Sequence, residues 1–178
     1  DASIDILRGK RTRIMPDFQT AGLADCTDYN GGLRGGKIRV RSRIKKDDKD
    51  KTLIISEIPF GTTTVSLIDS ILKANEKGKI KIKKVEDLTT DKVEIIIHLA
   101  PGTSPDKTID ALYAFTDCEV SISPNSCVIS DDKPIFIAVD ELLRISTEHT
   151  KDLIQEELNI HLNELNEQWF FSSLEKIF

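Results

Sequence analysis

Arg39, Arg41 and Arg43 recur at every second residue of the stretch Lys37-Ile-Arg-Val-Arg-Ser-Arg-Ile44. In an extended strand that spacing sets all three on one face, with Ile38, Val40 and Ile44 on or beside the other. A sheet face so basic calls for an anionic partner. Arg34 and Lys37 lead into the strand, and Arg8, Lys10, Arg11 and Arg13 make a second basic cluster upstream. Residues 1–46 hold 11 of the 25 Lys+Arg but only 5 of the 30 Asp+Glu, a local balance of +6 on a chain whose formal net charge is −5. The basic end therefore sits on a body of charge −11, an asymmetry that points to nucleic acid. A membrane surface fits less well, because the basic segment offers no amphipathic helix with a bulky apolar face. The reading that needs no ligand is a solvated strand whose Arg stems cover apolar surface.

Other chemistry finds little support in the residue pattern. Gly31-Gly-Leu-Arg-Gly-Gly-Lys37 has the spacing of a phosphate loop, but Ile38 stands where a magnesium-binding Ser or Thr belongs. A strand also follows where a helix N-terminus is required. His98, His149 and His161 are too scattered to suggest a metal site or a triad, and neither Tyr29 nor Tyr113 has a base beside it in sequence. Cys26, Cys118 and Cys127 match no CxxC spacing and read as reduced thiols rather than a zinc or disulfide framework. Asp47, Asp48 and Asp50 are interleaved with lysines and read as a solvated turn, not a cation site.

With 178 residues, 39% hydrophobic and 31% charged, the chain can bury a core and remain soluble. No run of 18 apolar residues occurs and no leader-like pattern opens it, so a soluble, cytoplasmic protein is expected. A start at Asp1 and an end at Phe178 inside a helical pattern suggest a piece of something longer.

The elements that must position the basic residues follow from periodicity. Residues 1–36 are expected to be largely irregular. Strands are expected near 37–44 and 52–58, joined by the charged turn 45–51. After Pro59, the hydroxyls of Thr62 to Thr64 offer caps for a helix whose buried stripe is read as Val65, Ile68, Ile71, Leu72 and Asn75, stopped at Gly78. Strands near 80–88 and 92–99 come next. Ser104-Pro105 then opens a helix with Ile109, Leu112, Tyr113 and Thr116 inward. Strands near 118–123, 126–130 and 134–139 complete a β-α-β-β-α-β-like core with extra strands. The fold class is α+β, a mainly antiparallel sheet with helices on one face.

From Asp140 to Phe178 the pattern is that of one long helix, with an interruption near Ser146-Thr147. Ile154, Leu158, Leu162, Leu165 and Trp169 step by four, four, three and four, close to a heptad seam. Nine acids against three bases make this arm a coiled-coil stalk rather than a DNA-binding helix. Two domains are thus expected, 1–139 and the truncated helix 140–178, and the exposed Trp169, Phe170 and Phe171 make self-association an open expectation.

Three motifs in order carry a family resemblance: Pro16-Asp-Phe-Gln-Thr-Ala-Gly-Leu23, the Gly-rich turn into Lys37-Ile-Arg-Val-Arg-Ser-Arg-Ile44, and Ile54-Ile-Ser-Glu-Ile-Pro-Phe60. They resemble the segment of bacterial type IIA topoisomerase A subunits, of DNA gyrase and topoisomerase IV, that follows the winged-helix domain. That segment is the tower domain plus the start of the coiled-coil arm, and the likeness runs through essentially all 178 residues. The Phe60-Gly-Thr-Thr-Thr64 turn and Arg8-Gly-Lys-Arg-Thr-Arg13 look like the topoisomerase IV type.

The resemblance implies a fragment that binds and bends duplex DNA within an ATP-dependent enzyme that passes one duplex through another. The catalytic tyrosine lies in a motif absent here, so no catalytic residue is expected in this chain and the fragment alone should be inactive. Magnesium and ATP would enter through the B subunit, with no metal or cofactor held by this segment. The parent would act as a homodimer paired with the B subunit, without membrane contact. Leu23 occupies the position of the family's intercalating isoleucine, and the phosphate contacts would come from Arg34, Lys37, Arg39, Arg41 and Arg43, with Arg8, Lys10, Arg11 and Arg13 as the second set. Gln19 departs from the family proline, and Thr62 to Thr64 stand where a lysine is common. Two other classes remain: a free-standing α+β nucleic-acid-binding module, and a structural domain whose coiled-coil arm is the functional surface.

Overall fold

A computed structural model describes residues 1–47 and 51–177, which divide into two compact units, Met15–Asn125 and Asp1–Ile14 together with Ser126–Phe178. The architecture is α+β, with every strand pair antiparallel.

In the Met15–Asn125 unit the strands are β1 (Leu23–Asp25), β2 (Ile38–Arg41), β3 (Arg43–Asp47), β4 (Thr52–Glu57), β5 (Ile82–Asp87), β6 (Ile95–Leu99) and β7 (Glu119–Ile122). They form two sheets rather than the single one expected, ordered β1-β2-β7 and β3-β4-β6-β5. The expected strand at 37–44 is broken at Ser42, which is fully buried and donates its N–H to the Cys118 carbonyl at 2.8 Å. That bond draws the chain out of the first ladder, and a register shift between Arg43 and Ile44 starts the second. β3 and β4 pair as the expected hairpin, while Asp48 and Asp50 of its charged turn lie outside the described residues.

Alternation builds the core. Leu53 and Ile55 of β4, and Ile95, Ile97 and Leu99 of β6, turn inward against the helices α2 (Thr64–Glu76) and α3 (Pro105–Phe115). Helix α2 starts in a reciprocal capping box: Ser66 N–H donates to Thr63 Oγ1 at 3.2 Å, and Thr63 N–H donates to Ser66 Oγ at 3.0 Å. Its buried residues are Leu67, Ile71 and Ala74, so the face is rotated from the expected one, and Val65 and Leu72 are exposed. Asn75 does not pack but accepts the Ile82 N–H at 3.1 Å, tying the helix end to β5. In α3 Leu112 and Thr116 are buried, as the periodicity predicts, with Ile109 and Tyr113 packed beside them.

The second unit contains α1 (Ala2–Leu7), the hairpin β8 (Cys127–Ser130) and β9 (Lys133–Phe136), and α4 (Val139–Glu175). The hairpin turns on two residues at positive φ, Asp131 and Asp132, the backbone that matches strand twist. α4 runs unbroken through Ser146-Thr147, with Arg144 bonded to both Glu141 and Glu148. Asp140 in its first turn accepts the Ile14 N–H at 2.9 Å. Thr147 is its one buried residue among those described, and Leu158, Leu162, Leu165 and Trp169 are exposed. Residues 1–36 are more ordered than expected, because α1, β1 and a 3-10 turn at Asn30–Gly32 lie there, each too short to show a period.

Candidate nucleic-acid interface

The three motifs that carry the resemblance meet in space. Phe18 packs on Phe60 with ring centroids 5.2 Å apart. The chain then reverses through Ala21 and Gly22, both at positive φ, and enters β1 at Leu23. Gly22 is required twice: its φ is +89°, and a Cβ there would lie 2.8 Å from the Arg41 carbonyl oxygen. Its N–H donates to Glu57 Oε2 at 2.8 Å, so the turn is fastened to the end of β4. Leu23 emerges from this turn 45% exposed, opposite Arg41 in the ladder and hence on the same sheet face as Arg39 and Arg41.

Each arginine of the alternating row faces a carboxylate across its ladder. Arg39 pairs with Asp25 at 2.6 Å, Arg41 with Glu119 at 2.5 Å and Arg43 with Glu57 at 2.9 Å. The carboxyls register the contact. The Thr27 hydroxyl and amide, followed by Arg39, bring Asp25 down to about 2. Arg43 and then the Gly22 amide hold Glu57 below the usual carboxylate range. Glu119 pushes the Arg41 guanidinium up. Arg39 and Arg41 share the first sheet and Arg43 opens the second, so the three do not form one continuous strand face.

Arg34 and Lys37 are exposed, and among the described residues no carboxylate lies within ion-pair distance of either. The Gly-rich loop that presents them folds back on itself. Lys37 N–H reaches the Asp28 carbonyl at 2.8 Å, and Gly36 fits only because it has no side chain, a Cβ there falling 2.3 Å from the Tyr29 carbonyl oxygen. The cluster of Arg8, Lys10, Arg11 and Arg13 belongs to the other unit, is exposed throughout, and among the described residues has one ion-pair partner, Asp5 on Lys10 at 2.9 Å.

The tyrosines serve structure. Tyr29 is buried, and Tyr113 donates its hydroxyl to the Ser42 carbonyl at 2.9 Å beneath the Arg41 guanidinium, 4.9 Å from the ring centroid. Burial raises the Tyr113 phenol. His98 pairs with Glu86 at 2.9 Å and His161 lies 3.5 Å from Glu164. Among the described residues no cluster of three His, Cys, Asp or Glu could hold a metal, and no helix is long and apolar enough to cross a membrane.

Sequence reasoning missed Asp25, Glu57 and Glu119 as partners of the basic row. The only signal for them is cross-strand register, which becomes available once the pairing is known.

The site is a two-sheet antiparallel module in which the exposed apolar Leu23 stands on the same face as Arg39 and Arg41. The family model for the A subunit of DNA gyrase/topoisomerase IV matches residues 1–177, and the chain belongs to that family. It is 37% identical to the DNA topoisomerase 4 A subunit of Borreliella burgdorferi over 97% of this chain and 27% of that protein. It is 29% identical to the DNA gyrase A subunit of Lawsonia intracellularis, over 83% of this chain and 19% of that one, and 30% identical to that of Mycobacterium tuberculosis, over 86% and 19%. The chain thus spans about a quarter or less of the length of these relatives.

Proposed function

We propose that this chain is the tower segment of a type IIA topoisomerase A subunit, and that it binds the flanks of a cleaved duplex and bends it. The observation that supports this best is Leu23: an exposed apolar side chain held at the exit of a left-handed turn, on the same face as Arg39 and Arg41. An apolar wedge between base pairs costs a few kcal/mol of stacking, offset by the wider contact a bent duplex makes. Arg34 and Lys37, which have no carboxylate within ion-pair distance among the described residues, make the first phosphate contacts. Arg39, Arg41 and Arg43 add to them by exchanging a carboxylate for a phosphate, and Arg8, Lys10, Arg11 and Arg13 supply a second set. These contacts position the duplex without reading its sequence.

The parent enzyme passes one duplex through another as a homodimer with the B subunit, which brings magnesium and ATP, in the bacterial cytoplasm at the nucleoid. The cleaving tyrosine lies elsewhere in the parent chain, so this segment alone is inactive. α4 is the start of the coiled-coil arm; its exposed Leu158, Leu162, Leu165 and Trp169 also favour a second reading, in which helix pairing is the segment's main role.

The test is binding and bending of a duplex of about 30 base pairs, labelled at both ends, across a salt series. The expected result is a log-log slope near −0.9 per neutralised phosphate, preference over single strand, and loss of bending in Leu23→Ala. Unchanged bending in that variant, or no duplex preference, refutes the reading. Concentration-dependent mass in sedimentation, indifferent to DNA, would favour the helix-pairing role.

A further inference from the structure

A second set of cations, outside the basic segment, converges on one concave surface. Ser70, Lys73 and Lys77 of the α2 end, Lys79 of the following turn, and Phe115 and Asp117 at the end of α3 line a cup of about 340 Å³. Lys73 and Lys77 stand one helical turn apart, on the same side of α2. Lys79 lies over the exposed Phe115 ring, 5.3 Å from its centroid. Asp117 is the one acid in the lining, and its N–H donates to the Ser70 hydroxyl oxygen at 2.8 Å. Among the described residues none of the three lysines has a carboxylate within ion-pair distance, in contrast to Arg39, Arg41 and Arg43. The dipole of α2 accounts for cations near its C-terminus, but not for Lys79, which lies beyond the helix, nor for the convergence of all three on one cup.

We propose that this lysine cup is a second contact for the sugar-phosphate backbone of duplex DNA. A neighbouring cup on the same unit is lined by Arg41, Asp110, Tyr113, Ala114 and Glu119. The two meet at the C-terminal end of α3, with Ala114 on one side and Phe115 on the other. That neighbouring cup carries Asp110 and Glu119, the latter paired with Arg41, so the three lysines form a separate patch of uncompensated positive charge on the unit that carries Leu23 and Arg41, a second backbone contact and not a continuation of the first. Lysine ammoniums act as point charges and take phosphates of any sequence. Single-stranded nucleic acid suits the cup poorly: it offers one aromatic ring, and Lys79 already covers that ring.

This inference extends the proposed reading and takes the same ligand, so the experiment separates the two. The 178-residue chain, its Lys73→Gln/Lys77→Gln/Lys79→Gln variant and its Leu23→Ala variant are titrated with the end-labelled duplex over a salt series, with single strand as competitor. Thermal unfolding of each variant confirms that it folds. For the triple glutamine variant the expected result is a salt slope shallower by about 0.9 for each phosphate lost, up to about 2.7 for three. Affinity at low salt should fall at least tenfold while the bound duplex stays bent; Leu23→Ala should show the converse, bending lost with the slope nearly kept. An unchanged slope and affinity in the triple variant overturns the lysine contact and leaves the wedge standing. Equal displacement by single strand overturns the assignment to duplex, and a wild-type chain that binds no duplex at low salt overturns both.

Discussion

Replacing Gly22 by Ala should destabilise the Met15–Asn125 unit through two separable effects. At φ +89° an L-residue pays the left-handed penalty of about 1–2 kcal/mol. The new methyl would also lie 2.8 Å from the Arg41 carbonyl oxygen and 3.5 Å from Val40 Cγ1, and Val40 is fully buried, so the β1–β2 ladder has to shift. Overpacking of that kind costs typically about 1–3 kcal/mol, for a total of about 2–5 kcal/mol. Gly102 provides the control: its φ is +78°, but no atom lies within 4 Å of a methyl placed there, so Gly102→Ala should cost the backbone penalty alone. Urea unfolding followed by the near-ultraviolet signal of Tyr29 and Tyr113 reports this unit, since the single Trp169 lies in α4. With a slope of about 1–3 kcal/mol per molar urea, the Gly22 variant should lose roughly 1 M or more of midpoint. If it loses no more than Gly102→Ala, the close approach of the turn to β2 is wrong, and with it the account of how Leu23 is presented.

Leu67→Ala should cost about 2–5 kcal/mol because Leu67 is fully buried, whereas Val65→Ala, at a residue 66% exposed, should stay within about 0.5 kcal/mol; equal losses in urea would return the buried face of α2 to the one periodicity suggests. Of the three thiols, Cys127 should react quickly with a disulfide reagent near neutral pH, while Cys26 is buried and Cys118 is both buried and pushed up to about 11; release of all three at one rate would refute the burial. Acid should weaken the unit in a defined window. Asp25 and Glu57 have carboxyl groups lowered from 3.8 and 4.5, so their contribution is complete above those values and is lost as pH falls below them, in the case of Asp25 toward about 2. Urea midpoints of Asp25→Asn should fall less steeply than wild type below about pH 4.

Hairpins and helices were readable because their information is local. Period-two alternation in Leu53 to Ile55 and Ile95 to Leu99, the hydroxyl cap at Thr63, and Pro105 in the first turn of α3, where the Ser104 hydroxyl makes no capping bond, each need only a few neighbouring residues. The division into two sheets was not readable, since it depends on Ser42 meeting Cys118 across 76 positions of sequence. The face of α2 was ambiguous for a different reason: Val65, Ile68 and Leu72 fit a helical stripe as well as Leu67, Ile71 and Ala74 do. The sheet beneath, not the spacing, selects between them. At the candidate site, Leu23 and the arginines could be named from the motifs, yet their carboxylates come from β1, β4 and β7 and appear only with the register. The lysine cup joins residues from α2 and α3 that no contiguous pattern connects.

The three cross-strand carboxylates have a thermodynamic consequence for any polyanion that docks on the arginine row. A protein cation with no carboxylate partner that neutralises a phosphate releases condensed counterions to the bulk, and the entropy of that release gives the steep salt dependence. Asp25, Glu119 and Glu57 are counterions covalently attached to the protein. When a phosphate takes one of their arginines, the displaced carboxylate gathers a cation from solution, cancelling much of the release. Salt titration will therefore undercount Arg39, Arg41 and Arg43, and a shallow slope on this surface would measure tethered charge rather than few contacts.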